Sequence, residues 1–144
     1  MDEPWWMASW HALCDKCSSQ GYGALSADER VWLNTRELID DAENGGLISY
    51  FENPSIGTLP DCLIALETLA ASDVKQQVER VTALFPGGVP LSEDERNEVI
   101  DSWDDDETDE LLEDVDERLF VLFEELEETL ELYIRNRGLA PASA

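Results

Sequence analysis

Between Asn44 and Pro54 the chain sets breakers on both sides of a dense apolar knot. Asn44-Gly45-Gly46 tolerates positive φ, so it can stop one helix and turn the chain within three residues. Leu47, Ile48, Tyr50 and Phe51 follow at once. They are too few for an independent helix and read as a single buried turn. Asn53-Pro54 closes the turn, because a residue before proline avoids the α region. Such a knot is a packing centre for longer helices. Asn44, Gly45, Gly46, Tyr50, Phe51 and Asn53 form its structural motif, and a core turn without chemistry outweighs any functional reading.

Around it, helical spacing recurs. Trp6, Trp10, Leu13, Cys14 and Cys17 mark an amphipathic first helix that ends at Gly21-Tyr22-Gly23. Ser26-x-x-Glu29 is a capping box for a helix carrying Val31, Trp32, Leu38, Ile39 and Ala42 inward. Thr58-x-x-Asp61 begins the next, with Cys62, Leu63, Leu66, Leu69 and Ala70 on one stripe. Ser72 caps another, with Val74, Val78, Val81, Leu84 and Phe85 buried and Pro86-Gly87-Gly88 as its stop. Ser92-x-x-Glu95 precedes a short helix with Val99, Ile100 and Trp103. No segment alternates with period two.

From Thr108 to Asn136 there is neither Gly nor Pro. Leu112, Val115, Leu119, Leu122, Leu126 and Tyr133 step at helical intervals, and Phe120, Phe123, Leu130 and Ile134 widen the stripe. A continuous helix of that span would be about 43 Å long; a break near Phe123 would give two antiparallel helices, and both remain open. The expectation is an all-α, compact, single-domain bundle of about six to seven helices over residues 1–138, with 139–144 a frayed tail.

At 144 residues the chain has length for one core. Its 34 acidic and nine basic residues give a net charge of −25. That balance excludes direct nucleic-acid binding and anionic membrane surfaces, because phosphates need a basic footprint. Partners should be basic proteins or cations. No apolar run approaches a membrane span, the start Met1-Asp2-Glu3-Pro4 lacks a signal peptide's pattern, and three cysteines suit a reducing compartment, so a cytoplasmic location is expected. His11-x-x-Cys14-x-x-Cys17 lacks a fourth ligand and reads as helix packing, so no metal is expected. No nucleophile motif accompanies the sole histidine and no phosphate-binding loop occurs; no cofactor and no catalytic residue is assigned.

The acids are unevenly placed. Between Glu93 and Glu131 lie 20 of the 34, opposed only by Arg96 and Arg118, a net of −18. Asp106, Asp109, Glu110, Glu113, Asp114 and Glu117 repeat at threes and fours, as do Glu124, Glu127, Glu128 and Glu131. Like charges at that spacing each cost a helix roughly 0.2–0.5 kcal/mol, so something other than helix stability favours them. An EF-hand ladder from Asp105 through Glu107 and Asp109 to Asp116 is excluded by Glu110 at the obligatory glycine. Halophilic acidity would cover the whole surface, and solvation alone is the plainest alternative. Carboxylates every three or four residues stand about 5–6 Å apart along a helix axis. Two such rows on adjacent helices approximate two phosphate strands, which a DNA-binding protein's Lys and Arg would meet. The candidate partner-binding residues are Asp101, Asp104, Asp105, Asp106, Glu107, Asp109, Glu110, Glu113, Asp114, Asp116, Glu117, Glu124, Glu127 and Glu128.

Four blocks carry a resemblance. Leu25-Ser26…Glu29-Arg30 is followed by Glu43-Asn44-Gly45-Gly46…Tyr50-Phe51-x-Asn53, then by Leu84-Phe85-Pro86-Gly87-Gly88-x-Pro90 and Leu111…Asp114-x-Asp116-x-Arg118-Leu119-Phe120. In order and spacing, over Leu25 to Ile134, they resemble the DNA-mimic-protein family. Ser49 stands where that pattern has glutamine, and the Trp-rich segment before Leu25 lies outside the match. The resemblance, joined to the charge pattern, implies a non-catalytic protein that offers a DNA-like surface to a basic DNA-binding protein such as a transcription regulator. An immunity-type inhibitor of a basic nuclease toxin shares the physics, and a structural domain whose acidity serves solubility is the third reading. A homodimer is left open.

Overall fold

The structure, a computed structural model, describes residues 3–52 and 58–140. Asn53 of the turn motif lies outside them. Seven α-helices and one 3-10 turn make up the described residues, which contain no strand. The helices are α1 (Met7–Gln20), α2 (Ala27–Gly45), α3 (Leu47–Glu52), α4 (Leu59–Thr68), α5 (Ser72–Thr82), α6 (Glu93–Asp101) and α7 (Asp106–Asn136), with the 3-10 turn at Tyr22–Ala24. No helix among the described residues is long and apolar enough to cross a membrane.

α3 is the six-residue knot, and it sits at the centre. Leu47, Tyr50 and Phe51 are fully buried, and α3 touches α2, α6 and α7. Phe51 meets Tyr50 edge-on at 5.5 Å and Phe85 at 5.6 Å, and Phe85 meets Trp103 at 5.1 Å. This aromatic chain binds the centre to the end of α5 and to the connection after α6. α2 packs chiefly on α4 and α3, while α7 lies along α5. At the N-terminus Trp6 and Trp10 close on Trp32 of α2, and Trp5 donates its indole N–H to Glu131 at 3.2 Å.

Two caps form as expected. Ser26 Oγ accepts from Glu29 N while the Glu29 carboxylate accepts from Ser26 N, and Ser92 Oγ accepts from Glu95 N. The C-terminal segment is one continuous helix of 31 residues, about 46 Å long.

Other local expectations change. Gly45 is the last helical residue of α2, and positive φ belongs to Gly46 alone (φ 84°, ψ 166°). α4 begins at Thr58-x-x-Asp61 as expected, with Thr58 as its N-cap, but the Thr58 side chain makes no cap bond. Asp61 instead accepts the Tyr22 hydroxyl at 2.7 Å, and Pro60 sets the first turn of α4. Ser72 is the first residue of α5 rather than its cap, which is Ala71. Ala70 is exposed, not on the stripe. It takes φ 56° and ends α4 in a Schellman turn, with Ala71 N bonded to Leu66 O at 2.8 Å. Leu84 is half-buried; of the expected tail 139–144, Leu139 is half-buried and Ala140 buried, and 141–144 lie outside the described residues. Phe120 leaves the stripe altogether: it is 83% exposed.

Candidate functional site

The buried residues of α7 are Val115, Leu119, Phe123, Leu126, Leu130 and Ile134, in steps of four, four, three, four and four. That stripe fixes the helix's rotation and turns the opposite face to water. Along the exposed side run Asp106, Glu107, Asp109, Glu110, Glu113 and Glu117, then, after a gap, Glu124 and Glu128. Asp101, at the end of α6, and Asp104, in the connection to α7, are exposed as well. Of the 31 residues in α7, 13 are acidic and two, Arg118 and Arg135, are basic.

The remaining sequence-predicted residues serve the fold. Asp105 is the N-cap of α7: its carboxylate accepts Thr108 N at 2.9 Å and Thr108 Oγ1 at 2.8 Å. Those bonds hold its carboxyl below the usual range. Asp114 is shared by Arg80 at 2.8 Å and Arg118 at 2.9 Å, and the two guanidiniums lower its pKa likewise. Asp116 accepts Leu47 N at 2.9 Å. It thereby satisfies one of the orphan N–H groups at the start of α3, which Gly46 has no side chain to cap.

Glu127 is half-buried and faces a groove between the C-terminal end of α2 and the middle of α7. Ala42, Glu43, Asp116, Phe120, Glu124 and Glu131 are among its walls. Loss of water pushes the Glu127 carboxyl up. The pull of Arg36 opposes that shift, and repulsion from Glu43, Glu131 and Asp40 adds to it. Sequence reasoning missed Glu43 here, because nothing local says that the end of α2 lies beside α7.

The sign of the Glu127 shift gives a test. A carboxylate whose folded pKa lies above its unfolded value carries a penalty that is present above the folded pKa and relieved as pH falls through it. Glu127→Gln is therefore expected to melt higher than the wild type at pH 7. The difference should vanish below about pH 4, where both states are protonated. A variant that melts lower at pH 7 would show that Arg36 dominates the site.

Among the described residues, no three His, Cys, Asp or Glu side chains gather closely enough to hold a metal ion. Cys14 and Cys17 are free thiols, half-buried on α1, and His11 is exposed. What the long helix presents is thus a line of carboxylates, held in place by tertiary bonds from Asp114, Asp116 and Glu131. Its field favours cationic side chains and repels anions.

A family model described as DMP19-like protein matches residues 23–137, a span that opens just after α1. No curated protein and no solved structure matches the chain.

Proposed function

Because the chain belongs to the DMP19-like protein family, we propose that it acts as a DNA mimic: the exposed carboxylates of α7 occupy the DNA-binding surface of a basic protein, such as a transcription regulator, and exclude DNA from it. The observation that carries this reading is the single 31-residue helix whose outward face is a carboxylate row while Asp114 and Asp116 brace the fold. Successive exposed acids three or four residues apart stand about 5–6 Å apart along the axis. Glu43 of α2 lines the same groove as Glu124 and Glu131 and adds one carboxylate from a second helix. A rigid surface loses little entropy when it binds, which favours mimicry by a helix over a disordered acidic tail.

Exposed charge pairs are individually worth about 0.2–1 kcal/mol, so single substitutions should matter little and combined ones much. The test uses DNA-binding proteins retained at low salt on the immobilised chain from extract of its own cells. A DNA duplex and rising salt should each release them. Asp109→Asn, Glu110→Gln, Glu113→Gln and Glu117→Gln together should abolish retention with the fold intact. Asp15→Asn, Glu67→Gln and Glu79→Gln, at exposed acids on α1, α4 and α5, should not. Retention that survives the first set, or a ternary complex with DNA, would refute the proposal.

A further inference from the structure

Between Glu117 and Glu124 the carboxylate row stops. Its place on the outward side of α7 is taken by Phe120 and Val121, which are 83% and 73% exposed. The flanking acids are seven positions apart, about 10 Å of helix. The pair straddles the ridge: Phe120 lines the groove with Glu43, Glu124 and Glu127, and Val121 lines a second groove on the other side with Gln76, Gln77, Asp114 and Arg118.

Neither the fold nor charge mimicry accounts for them. Phe and Val are poorer helix formers than Glu or Lys, and here they gain no burial in return. A surface that only imitated phosphates would continue the charge through this point. Two exposed apolar side chains ringed by acids instead match the anatomy of a protein interface: a central aromatic anchor, excluded from water on binding, inside a polar rim.

We propose that Phe120 and Val121 are the apolar anchor of the partner-binding face, and that they dock on an apolar strip flanked by Lys and Arg on a basic protein. The inference rests on the reading above only for the sign of the partner's charge. Charge complementarity selects this occupant. A second copy of the chain, docked on the same face, would set Glu113, Glu117, Glu124 and Glu128 against their own kind. DNA-reading surfaces meet such a pairing naturally, since they touch thymine methyl groups as well as phosphates. The anchor also supplies the part of affinity that salt does not screen, because apolar burial is independent of the Debye length.

Two synthetic peptides of equal positive charge provide the probe, one built of arginine and glycine, the other with leucines replacing adjacent glycines. The intact chain should bind the leucine peptide about 10–100-fold more tightly, and the margin should persist at high salt. Phe120→Ser with Val121→Ser should remove that margin and leave binding of the arginine–glycine peptide unchanged, with the thermal midpoint as a check on the fold. The fourfold α7 carboxylate variant separates the two ideas: losing both peptides there supports the acidic face, while keeping both defeats the mimicry reading but leaves the anchor standing. Equal affinity of the wild type for both peptides would overturn the anchor. So would a concentration-dependent dimer that the serine variant abolishes, because the face would then belong to a second copy.

Discussion

Arg96→Met is expected to lower the free energy of unfolding by about 3–5 kcal/mol, a large share of the 5–15 kcal/mol typical of a domain. Arg96 is 1% exposed, in the first turn of α6. Its Nε donates to Phe51 O at 2.9 Å, and its Nη1 donates to Leu91 O at 2.8 Å and Pro90 O at 3.2 Å. The Phe51 carbonyl is one of the last of α3, with no partner inside its own helix. One guanidinium thus joins the end of the central turn to the loop that leads into α6. Burial lowers its pKa, yet arginine stays charged across the working range. Replacing a buried ion pair by apolar groups is often harmless, but only when both partners go. Here the acceptors are backbone carbonyls and stay behind, each unpaired one costing about 1–3 kcal/mol. Arg96→Lys should recover less than half of the loss, since an ammonium cannot reach two directions as a fork does. Urea unfolding with an unchanged slope would measure both. A midpoint for Arg96→Met equal to the wild type would mean that the three carbonyls find water at no cost.

Gly46→Ala should cost a similar amount, about 3–5 kcal/mol, by a different route. Its φ of 84° and ψ of 166° fall in a region that is essentially glycine's alone, worth about 1–3 kcal/mol of strain to any side chain. A Cβ there would also lie 2.7 Å from Asp116 Oδ2. That carboxylate is not at liberty to swing away, because its other oxygen holds Leu47 N. Displacing it forfeits a charge-assisted bond of about 1.5–3 kcal/mol. The two residues should therefore couple. Asp116→Ala adds little once Gly46→Ala is present, so a double-mutant cycle should show non-additivity of about 1 kcal/mol or more. Strict additivity would mean that strain alone sets the cost and the contact is incidental.

What the amino-acid pattern disclosed was local or periodic. The box at Ser26 and the cap at Ser92 need only residues three apart, and both formed. The buried line from Val115 to Ile134 follows from 3.6-residue spacing, and so does the acidic side opposite it. Where a residue's role is set by a partner far along the chain, the pattern was silent or misleading. Arg96 among acids looks like a surface charge, because its acceptor Phe51 lies 45 positions away. Asp114 and Asp116 share the spacing of the exposed acids. Only Arg80, and the Leu47 amide 69 positions away, distinguish them. Phe120 shows the limit of a stripe read by eye: one step beyond Asp116 around the helix, it has already turned to water.

The length of α7 has an electrical consequence. At physiological ionic strength the Debye length is about 8 Å, so a helix of about 46 Å spans more than five of them. Its two acidic blocks, on either side of Phe120, meet across about 10 Å, little more than one Debye length, while their far ends are screened from one another and act as two separate attractors. An approaching cationic surface is captured by whichever block it meets first. Because the helix is unbroken, the second block then waits at a fixed distance and angle, and its engagement becomes an intramolecular step with a high effective concentration. A protein whose basic patches are spaced to reach both ends gains from both. One that is compact, however highly charged, gains from one.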